Sequence, residues 1–131
     1  MMRFKRNQNK LNNRKVAGCD SIKEARRLAQ LQLLEKAGEI KNLRTQVKYV
    51  LIPTQYETYP RFSKNGKRLK DGVKCIEKEC AYIADFVYTV TATGENIVED
   101  TKGYKGGCTY KLFVLKRKLM YAVHGIRVKE I

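Results

Sequence analysis

The sequence predicts a single mixed α/β domain, and three observations lead to this prediction. Apolar residues recur at helical spacing in two segments, residues 21–37 and 109–122. Between them lie runs rich in Val, Ile and Tyr, which are typical of strands. Asn-Gly, Asp-Gly and Thr-Gly steps separate these runs, as turns do. The chain has 131 residues, 43% of them apolar, which suits one domain with its own core.

Residues 1–18 predict a flexible basic N-terminal arm, which leaves residues 19–131 as the domain. The arm holds six Lys or Arg, no acid and no apolar periodicity. A solvated tail and an arm lying along a nucleic-acid backbone are about equally good interpretations. Because no apolar stretch follows the charges, a secretory signal is not indicated. We therefore expect a cytoplasmic protein with reduced cysteines.

The first helix is predicted over residues 21–37. Ser21 and Glu24 have the spacing of a capping box, and Gly38 would end the helix. The predicted apolar face comprises Ala25, Leu28, Ala29, Leu31, Leu33 and Leu34. A strand over residues 44–52 follows and ends at Pro53.

Residues 54–71 predict either a basic β-ribbon or an irregular loop. Tyr56, Tyr59 and Phe62 alternate here with positive charge, and they are as consistent with core packing as with stacking on nucleic-acid bases. Residues 73–90 predict one long strand or two, and residues 97–102 the return strand of a hairpin.

A Gly-rich loop over residues 103–108 leads into the second predicted helix, residues 109–122, and a last short strand follows Gly125. The helix residues expected to point inward are Leu112, Phe113, Leu115, Leu119 and Met120. The order is therefore helix, strand, antiparallel hairpin, helix, strand.

The charge balance indicates a polyanionic partner. Lys and Arg total 28 against 13 Asp and Glu, for a net charge of +15. Nucleic acid is the leading candidate, because neutralising phosphates releases counterions. An anionic membrane surface is disfavoured by the lack of a long apolar segment or a strongly amphipathic basic helix. Cys75 and Cys80 give zinc only weak support, and incidental cysteines are favoured.

Two acids and a lysine stand out in the predicted hairpin. Alternation puts Asp100 and Lys102 on one face and Glu99 on the other, with Asp85 on the partner strand within reach. An acid in an apolar strand is costly unless it is paired or bound to a metal. A structural salt bridge between Asp85 and Lys102 is the alternative to catalysis. Glu99 is interpreted as a solvated or ion-paired surface acid.

The element order and these residues resemble the PD-(D/E)xK, or restriction-endonuclease-like, nuclease superfamily with its αβββαβ core, a central mixed sheet flanked by helices. Within it the chain is similar to a small phage and prophage family related to Holliday-junction resolvases. The matching segments are residues 21–24, 43–46, 82–88, 99–103 and 109–118, which cover nearly the whole domain. Ala84 replaces the Pro of the motif, and Asp100 replaces the more usual Glu.

The resemblance implies an endonuclease that depends on Mg²⁺, with Mn²⁺ as a substitute, and that cuts branched DNA as a homodimer in a bacterial host. Asp85, Asp100 and Glu24 would be catalytic metal ligands, Thr101 would add its carbonyl, and Lys102 would assist the attacking water. For Glu24 the capping box is an equally good explanation. Residues expected to contact nucleic acid are Gln46, Arg61, Lys67, Arg68, Thr109, Lys116 and Lys118.

Two alternatives of another class stay open: a DNA-binding protein without activity, and a phage protein that binds a host factor. Either would retain the charge without needing two acids beside a phosphate path. His124 is interpreted as structural, and Lys116 and Lys118 also suit a solvated helix face.

Overall fold

A computed structural model of the chain describes residues 21–103 and 105–131. The elements are α1 (Ile22–Lys36), β1 (Ile40–Ile52), β2 (Gln55–Phe62), β3 (Arg68–Glu77), β4 (Cys80–Val90), β5 (Asn96–Asp100), α2 (Gly107–His124) and β6 (Val128–Glu130). The predicted arm, residues 1–18, lies outside the described residues.

Four of the strands form one mixed sheet in the order β1-β4-β5-β6. β4 and β5 pair antiparallel, whereas β5 and β6 pair parallel, with Val98 opposite Val128 and Asp100 opposite Glu130. A parallel pair requires a crossover, and the chain between β5 and β6 contains α2. The α/β class is therefore confirmed, and without β2 and β3 the element order is αβββαβ.

The strands β2 and β3 form a separate two-stranded antiparallel sheet, called here the ribbon. Of the two interpretations for residues 54–71, the ribbon is the one observed. Tyr56, Tyr59 and Phe62 are all exposed, so the interpretation as core residues is wrong. Of the residues in these two strands, only Gly72 is buried.

By its internal contacts the described chain divides into two compact units. The first comprises the described residues of Met1–Val47, Ala84–Lys105 and Val128–Ile131. Its core is built from Leu31 of α1, Ile40 of β1, and Phe86 and Tyr88 of β4. Leu33 is 67% exposed, contrary to prediction, because it lies about 200° around the helix from the buried Leu31.

The ends of α1 follow the predicted signals. The Ser21 hydroxyl accepts a hydrogen bond from the Glu24 amide at 3.1 Å, which satisfies an otherwise unpaired donor of the first turn. Gly38 has a φ of +79°, and its amide donates to the Glu35 carbonyl at 3.1 Å. A glycine suits this left-handed position because it has no Cβ.

The second unit comprises Lys48–Ile83 and Gly106–Arg127, and so contains the ribbon and α2. Phe113 and Met120 of α2 are buried, and the Phe113 ring lies 6.3 Å from that of Tyr82. Leu112 and Leu115 are more than half exposed, so their predicted inward orientation is wrong. The residues three, four and seven positions after Phe113 share its side of the helix, and neither Leu112 nor Leu115 is among them.

The His124 ring has contacts within the second unit, which agree with its interpretation as structural. A ring nitrogen of His124 lies 2.7 Å from the Val50 carbonyl oxygen, and the ring contacts Tyr49. The three cysteines in the described part of the chain, Cys75, Cys80 and Cys108, are free thiols. No helix within residues 21–103 and 105–131 has the length and apolar character needed to cross a membrane.

Candidate active site

The β4–β5 hairpin brings the two predicted acids to adjacent positions. Phe86 lies opposite Glu99 and Val87 opposite Val98, so the same register continued by one residue sets Asp85 against Asp100. Opposed residues of an antiparallel pair share a face of the sheet. Asp85 and Asp100 therefore share one face, and Glu99 belongs to the other, as alternation predicts.

Asp85 is half-buried and is held by the residue that follows Asp100. Its Oδ2 accepts hydrogen bonds from the Thr101 amide at 2.9 Å and from the Thr101 hydroxyl at 2.8 Å. Its Oδ1 lies 3.5 Å from Nε2 of Gln46. Thr101, which was expected to offer its carbonyl, thus also orients the Asp85 carboxylate through its two donors.

Asp100 and Lys102 form the ion pair of the site. Nζ of Lys102 lies 2.7 Å from Oδ1 of Asp100, whose side chain is 5% exposed, while that of Lys102 is 24% exposed. A charge-assisted contact of this length is stronger in a buried setting than at the surface. The lysine thus pairs with Asp100, whereas the structural alternative above expected a pairing with Asp85. β5 itself ends at Asp100, two residues earlier than predicted.

Glu24 lies at the start of α1 and joins the same cluster. Glu24 is 5% exposed, and its Oε1 accepts a hydrogen bond from Nε2 of Gln46 at 3.0 Å. One amide nitrogen therefore serves carboxylates from α1 and β4. The backbone amide of Glu24 is engaged by Ser21, so the capping role and a site role coexist in this residue.

Gln46 has an uncommon backbone conformation for this task. Its φ is +53°, in the left-handed region, which is unfavourable for residues other than glycine. Such strain costs of order 1–3 kcal/mol and persists where surrounding contacts fix it. The side-chain bonds of Gln46 to Glu24 and Asp85 are contacts of this kind. Sequence reasoning selected Gln46 as a nucleic-acid contact but gave no sign of its backbone conformation.

On the opposite face of β5, a buried charge network ties α1 to the sheet. Glu99 has no exposed surface, and its carboxylate accepts two hydrogen bonds from Arg27, at 2.9 and 2.6 Å. The Tyr88 hydroxyl donates to the same carboxylate. The expected ion pair exists, but Glu99 is not a surface acid. Sequence reasoning missed Arg27, although its position three residues after Glu24 puts both on one side of α1.

The network has consequences for protonation. Burial, and next the hydrogen bond to Glu99, raise the pKa of Tyr88 to about 12. The hydrogen bond with Glu99 also raises the pKa of Arg27 above its ordinary value. Both shifts favour the states in which Tyr88 and Arg27 donate to the carboxylate.

A second contact between α1 and the site comes from Lys23, which sequence reasoning also missed. Its Nζ donates to the main-chain oxygen of Lys102 at 2.7 Å and to that of Ile131 at 2.6 Å. The amide of Lys102 donates in turn to the Ile131 oxygen at 3.1 Å. The backbone of Lys102 is therefore fixed from two directions. With Arg27, these bonds hold α1 on either side of Glu24.

The donors gathered here are oxygen atoms of the kind that Mg²⁺ prefers. Carboxylates of Glu24 and Asp85 both accept from the side-chain NH₂ group of Gln46, which occupies a position between two negative groups. Asp100 lies beside Asp85 in register. These donors fit a hard divalent cation by type. No three His, Cys, Asp or Glu side chains among residues 21–103 and 105–131 are grouped closely enough to hold a metal ion as they stand.

The other residues expected to contact nucleic acid belong to the second unit. Arg61, Lys67 and Arg68 are exposed on the ribbon and its turn, and Thr109 and Lys118 are exposed on α2. Lys116 is half-buried. Arg68 is already engaged, since it donates to Asp71 at 2.7 Å and its guanidinium lies over the ring of Phe62.

A family model described as "Protein of unknown function (DUF1064)" matches residues 3–129. No curated protein and no solved structure matches the chain.

Proposed function

The chain belongs to the DUF1064 family, and we propose that it is a metal-dependent endonuclease that hydrolyses phosphodiester bonds of branched DNA. One observation carries this proposal. Asp85 and Asp100 share a face of the β4–β5 hairpin, with the Lys102 ammonium 2.7 Å from Asp100 and the Glu24 carboxylate joined to Asp85 through Gln46. Acids, an amide and a lysine converge here in a chain of net charge +15.

Each residue has a role that its surroundings support. Asp85, Asp100 and Glu24 would hold Mg²⁺, or Mn²⁺ in its place, together with the carbonyl of Thr101. When bound, such a cation supplies Lewis-acid stabilisation of the phosphoryl group and a more acidic water. The Thr101 donors keep the Asp85 carboxylate in one orientation before substrate arrives. The Lys102 ammonium stabilises negative charge that develops on the phosphoryl oxygens.

The partner class follows from charge. A protein of net charge +15 attracts a polyanion over long range, and each neutralised phosphate releases counterions. The side chains suited to contact the phosphate backbone of DNA are the exposed Arg61, Lys67, Thr109 and Lys118. Branched DNA as substrate, homodimerisation and a phage role in the bacterial cytoplasm are proposed from the nuclease resemblance.

The test is cleavage of a labelled four-way junction, with linear duplex and single strand as comparison substrates, in Mg²⁺, Mn²⁺ and EDTA. Asp85→Asn and Lys102→Met should each reduce the cleavage rate by roughly 100-fold or more, because the first removes a ligand of the cation and the second an ammonium that stabilises charge on the phosphate. Glu95→Gln is the matched control, since Glu95 is an exposed acid at the turn of the same hairpin and its loss should leave the rate unchanged.

Cutting, and not binding, separates this proposal from a DNA-binding protein without activity. Asp85→Asn removes a negative charge near the phosphate path, so junction affinity in EDTA should be retained or increased. Junction binding without cutting in either metal would contradict the nuclease proposal.

A second candidate, a DNA-binding protein without activity, is favoured by one observation. The acids of the site already have partners within the protein, because Thr101 and Gln46 bond Asp85 and Lys102 pairs with Asp100. Acids in strands commonly have such purely structural pairings. On this candidate Asp85→Asn lowers the free energy of unfolding and leaves DNA affinity unchanged, with no metal-dependent cutting in the wild type. A phage protein that binds a host factor would instead show no preference for DNA.

A further inference from the structure

The ribbon has a face with exposed apolar side chains. All eight residues of β2 are exposed, and of β3 only Gly72 is buried. In register, Tyr56 lies opposite Cys75 and Thr58 opposite Val73, and the face that these four residues share is called the aromatic face. Phe62 lies further along β2, opposite Arg68 and beyond a register shift between Tyr59 and Arg61. Tyr56 is 63%, Phe62 60% and Val73 65% exposed.

Tyr59 belongs to the opposite face and has a structural role there. It pairs with Gly72, and a Cβ built on that glycine would meet the Tyr59 ring at 2.2 Å. The ring therefore lies directly on the backbone of the neighbouring strand, where no side chain other than hydrogen fits. This packing explains Tyr59 without a ligand. The other aromatic rings of the ribbon are Tyr56, and Phe62, whose ring is in contact with the Arg68 guanidinium and still 60% exposed.

The distal part of the ribbon is strongly basic and well ordered by its own bonds. Residues 61–70 contain five basic side chains and no acid: Arg61, Lys64, Lys67, Arg68 and Lys70. The turn is closed by hydrogen bonds from the Ser63 amide to the Lys67 carbonyl at 2.8 Å and from the Gly66 amide to the Ser63 carbonyl at 3.0 Å. The Arg68 guanidinium lies 5.8 Å from the centre of the Phe62 ring.

We propose that the ribbon binds unpaired nucleotides, with bases stacked on Tyr56 and Phe62 and phosphates held by Arg61, Lys64 and Lys67. This deepens the proposed function and rests on it for the class of ligand, nucleic acid. Exposed rings beside positive charge are the components of single-strand sites, because every base has a face to stack and every nucleotide a phosphate. Bases inside a continuous duplex are already stacked on each other, so they cannot use these rings. The ribbon therefore selects DNA that contains an unpaired segment.

Charge complementarity favours this ligand over a second copy of the chain. Two basic distal segments facing each other would repel, whereas a polyanion is attracted by both. An apolar protein partner would also be recognised by Val73 as much as by the aromatic residues. The stacking proposal gives Val73 no special role, and this difference can be measured.

The test is binding of a labelled oligothymidine of about 20 nucleotides, longer than the ~4–16 nucleotides of typical single-strand sites. It is measured in EDTA, with a blunt duplex of the same length for comparison. Phe62→Leu keeps an apolar side chain but removes the ring, and should weaken single-strand binding roughly 5- to 150-fold, the range that loss of one stacked base gives. Phe62→Trp should retain the affinity, and Val73→Ser, the matched control, should leave it unchanged.

Salt dependence provides an independent readout. Lys67→Gln should lower the slope of log affinity against log salt by about 0.7, the value for one phosphate contact on a single strand, whereas Phe62→Leu should leave the slope unaltered. Thermal unfolding of each variant reports whether the fold is retained, as is expected for a side chain that is 60% exposed.

The outcomes distinguish the two proposals. Equal affinity of wild type and Phe62→Leu for the oligothymidine overturns the ribbon proposal, even if Asp85→Asn abolishes junction cleavage and the nuclease stands. Loss of single-strand binding in Phe62→Leu supports the ribbon, even if no metal produces cleavage and the nuclease fails. Loss of dimer mass by light scattering in both Phe62→Leu and Val73→Ser, with unchanged DNA affinity, assigns the face to a second copy and overturns the proposal.

Discussion

The buried network on the far side of β5 gives the strongest quantitative prediction. Glu99 has no exposed surface, and two of its hydrogen bonds come from Arg27, whose side chain is 22% exposed. Replacing Arg27 by Met removes these two bonds and leaves the buried Glu99 carboxylate with the hydrogen bond from the Tyr88 hydroxyl. Removing one partner of a buried pair costs about 3–5 kcal/mol. Because Arg27 retains some contact with water, we expect the lower end, about 3 kcal/mol in the free energy of unfolding.

That loss is large beside the ~5–15 kcal/mol stability of a typical domain. With a urea slope of about 2 kcal/mol per molar, it lowers the unfolding midpoint by about 1.5 M. The measurement is urea unfolding followed by circular dichroism at pH 7. Arg26→Met is the matched control, since Arg26 is the exposed neighbour on the same helix and should change stability by less than ~0.5 kcal/mol.

A double-mutant cycle separates the charge pair from simple loss of packing. The cycle is measured in a Tyr88→Phe background, with Arg27→Met and Glu99→Leu made separately and together. The variant that carries both should recover most of the stability that Arg27→Met alone removes, because no buried charge remains. A cost below about 1 kcal/mol for Arg27→Met, or no recovery in the double variant, would refute the view that this pair secures α1 to β5.

Three further predictions concern stability. The raised pKa of Tyr88 means that its contribution is fully present below pH ~10 and is lost as pH rises through about 12, so unfolding midpoints should fall in that window and Tyr88→Phe should flatten the fall. Gly72→Ala should push the Tyr59 ring off the ribbon, at a cost of about 1 kcal/mol, and should speed amide hydrogen exchange in β2 and β3 while other strands stay protected. Ser21→Ala should cost about 1 kcal/mol by removing the N-cap of α1, and Ser21→Asp should not.

Local signals accounted for most of the secondary structure. The capping residues of α1, its Gly38 terminus, the turn at the Thr93-Gly94 step and the second helix all follow from short-range chemistry, because caps and turns are decided by a few neighbouring residues. β1 begins at Ile40, four residues before the prediction, since pairing within the sheet and not local propensity decides where a strand starts.

Three predicted side-chain orientations were wrong where more than one face of a helix is apolar. Leu33, Leu112 and Leu115 are consistent with an apolar stripe when counted along the sequence, yet each is exposed. A helix buries only the arc that meets its neighbour, and composition alone does not define that arc. The aromatic residues of the ribbon were ambiguous for the same reason.

By itself the sequence determined that Asp85 is within reach of Asp100 and Lys102, and that the basic charge favours a polyanion, because alternation and composition are local or additive properties. Only the tertiary structure decided which groups these residues bond. In the structure Lys102 pairs with Asp100, and Thr101 donates hydrogen bonds to Asp85. Glu99 is buried against Arg27, and Gln46 has a strained backbone conformation. Such contacts join residues far apart in the chain, and their energies depend on burial, which no spacing of residues encodes.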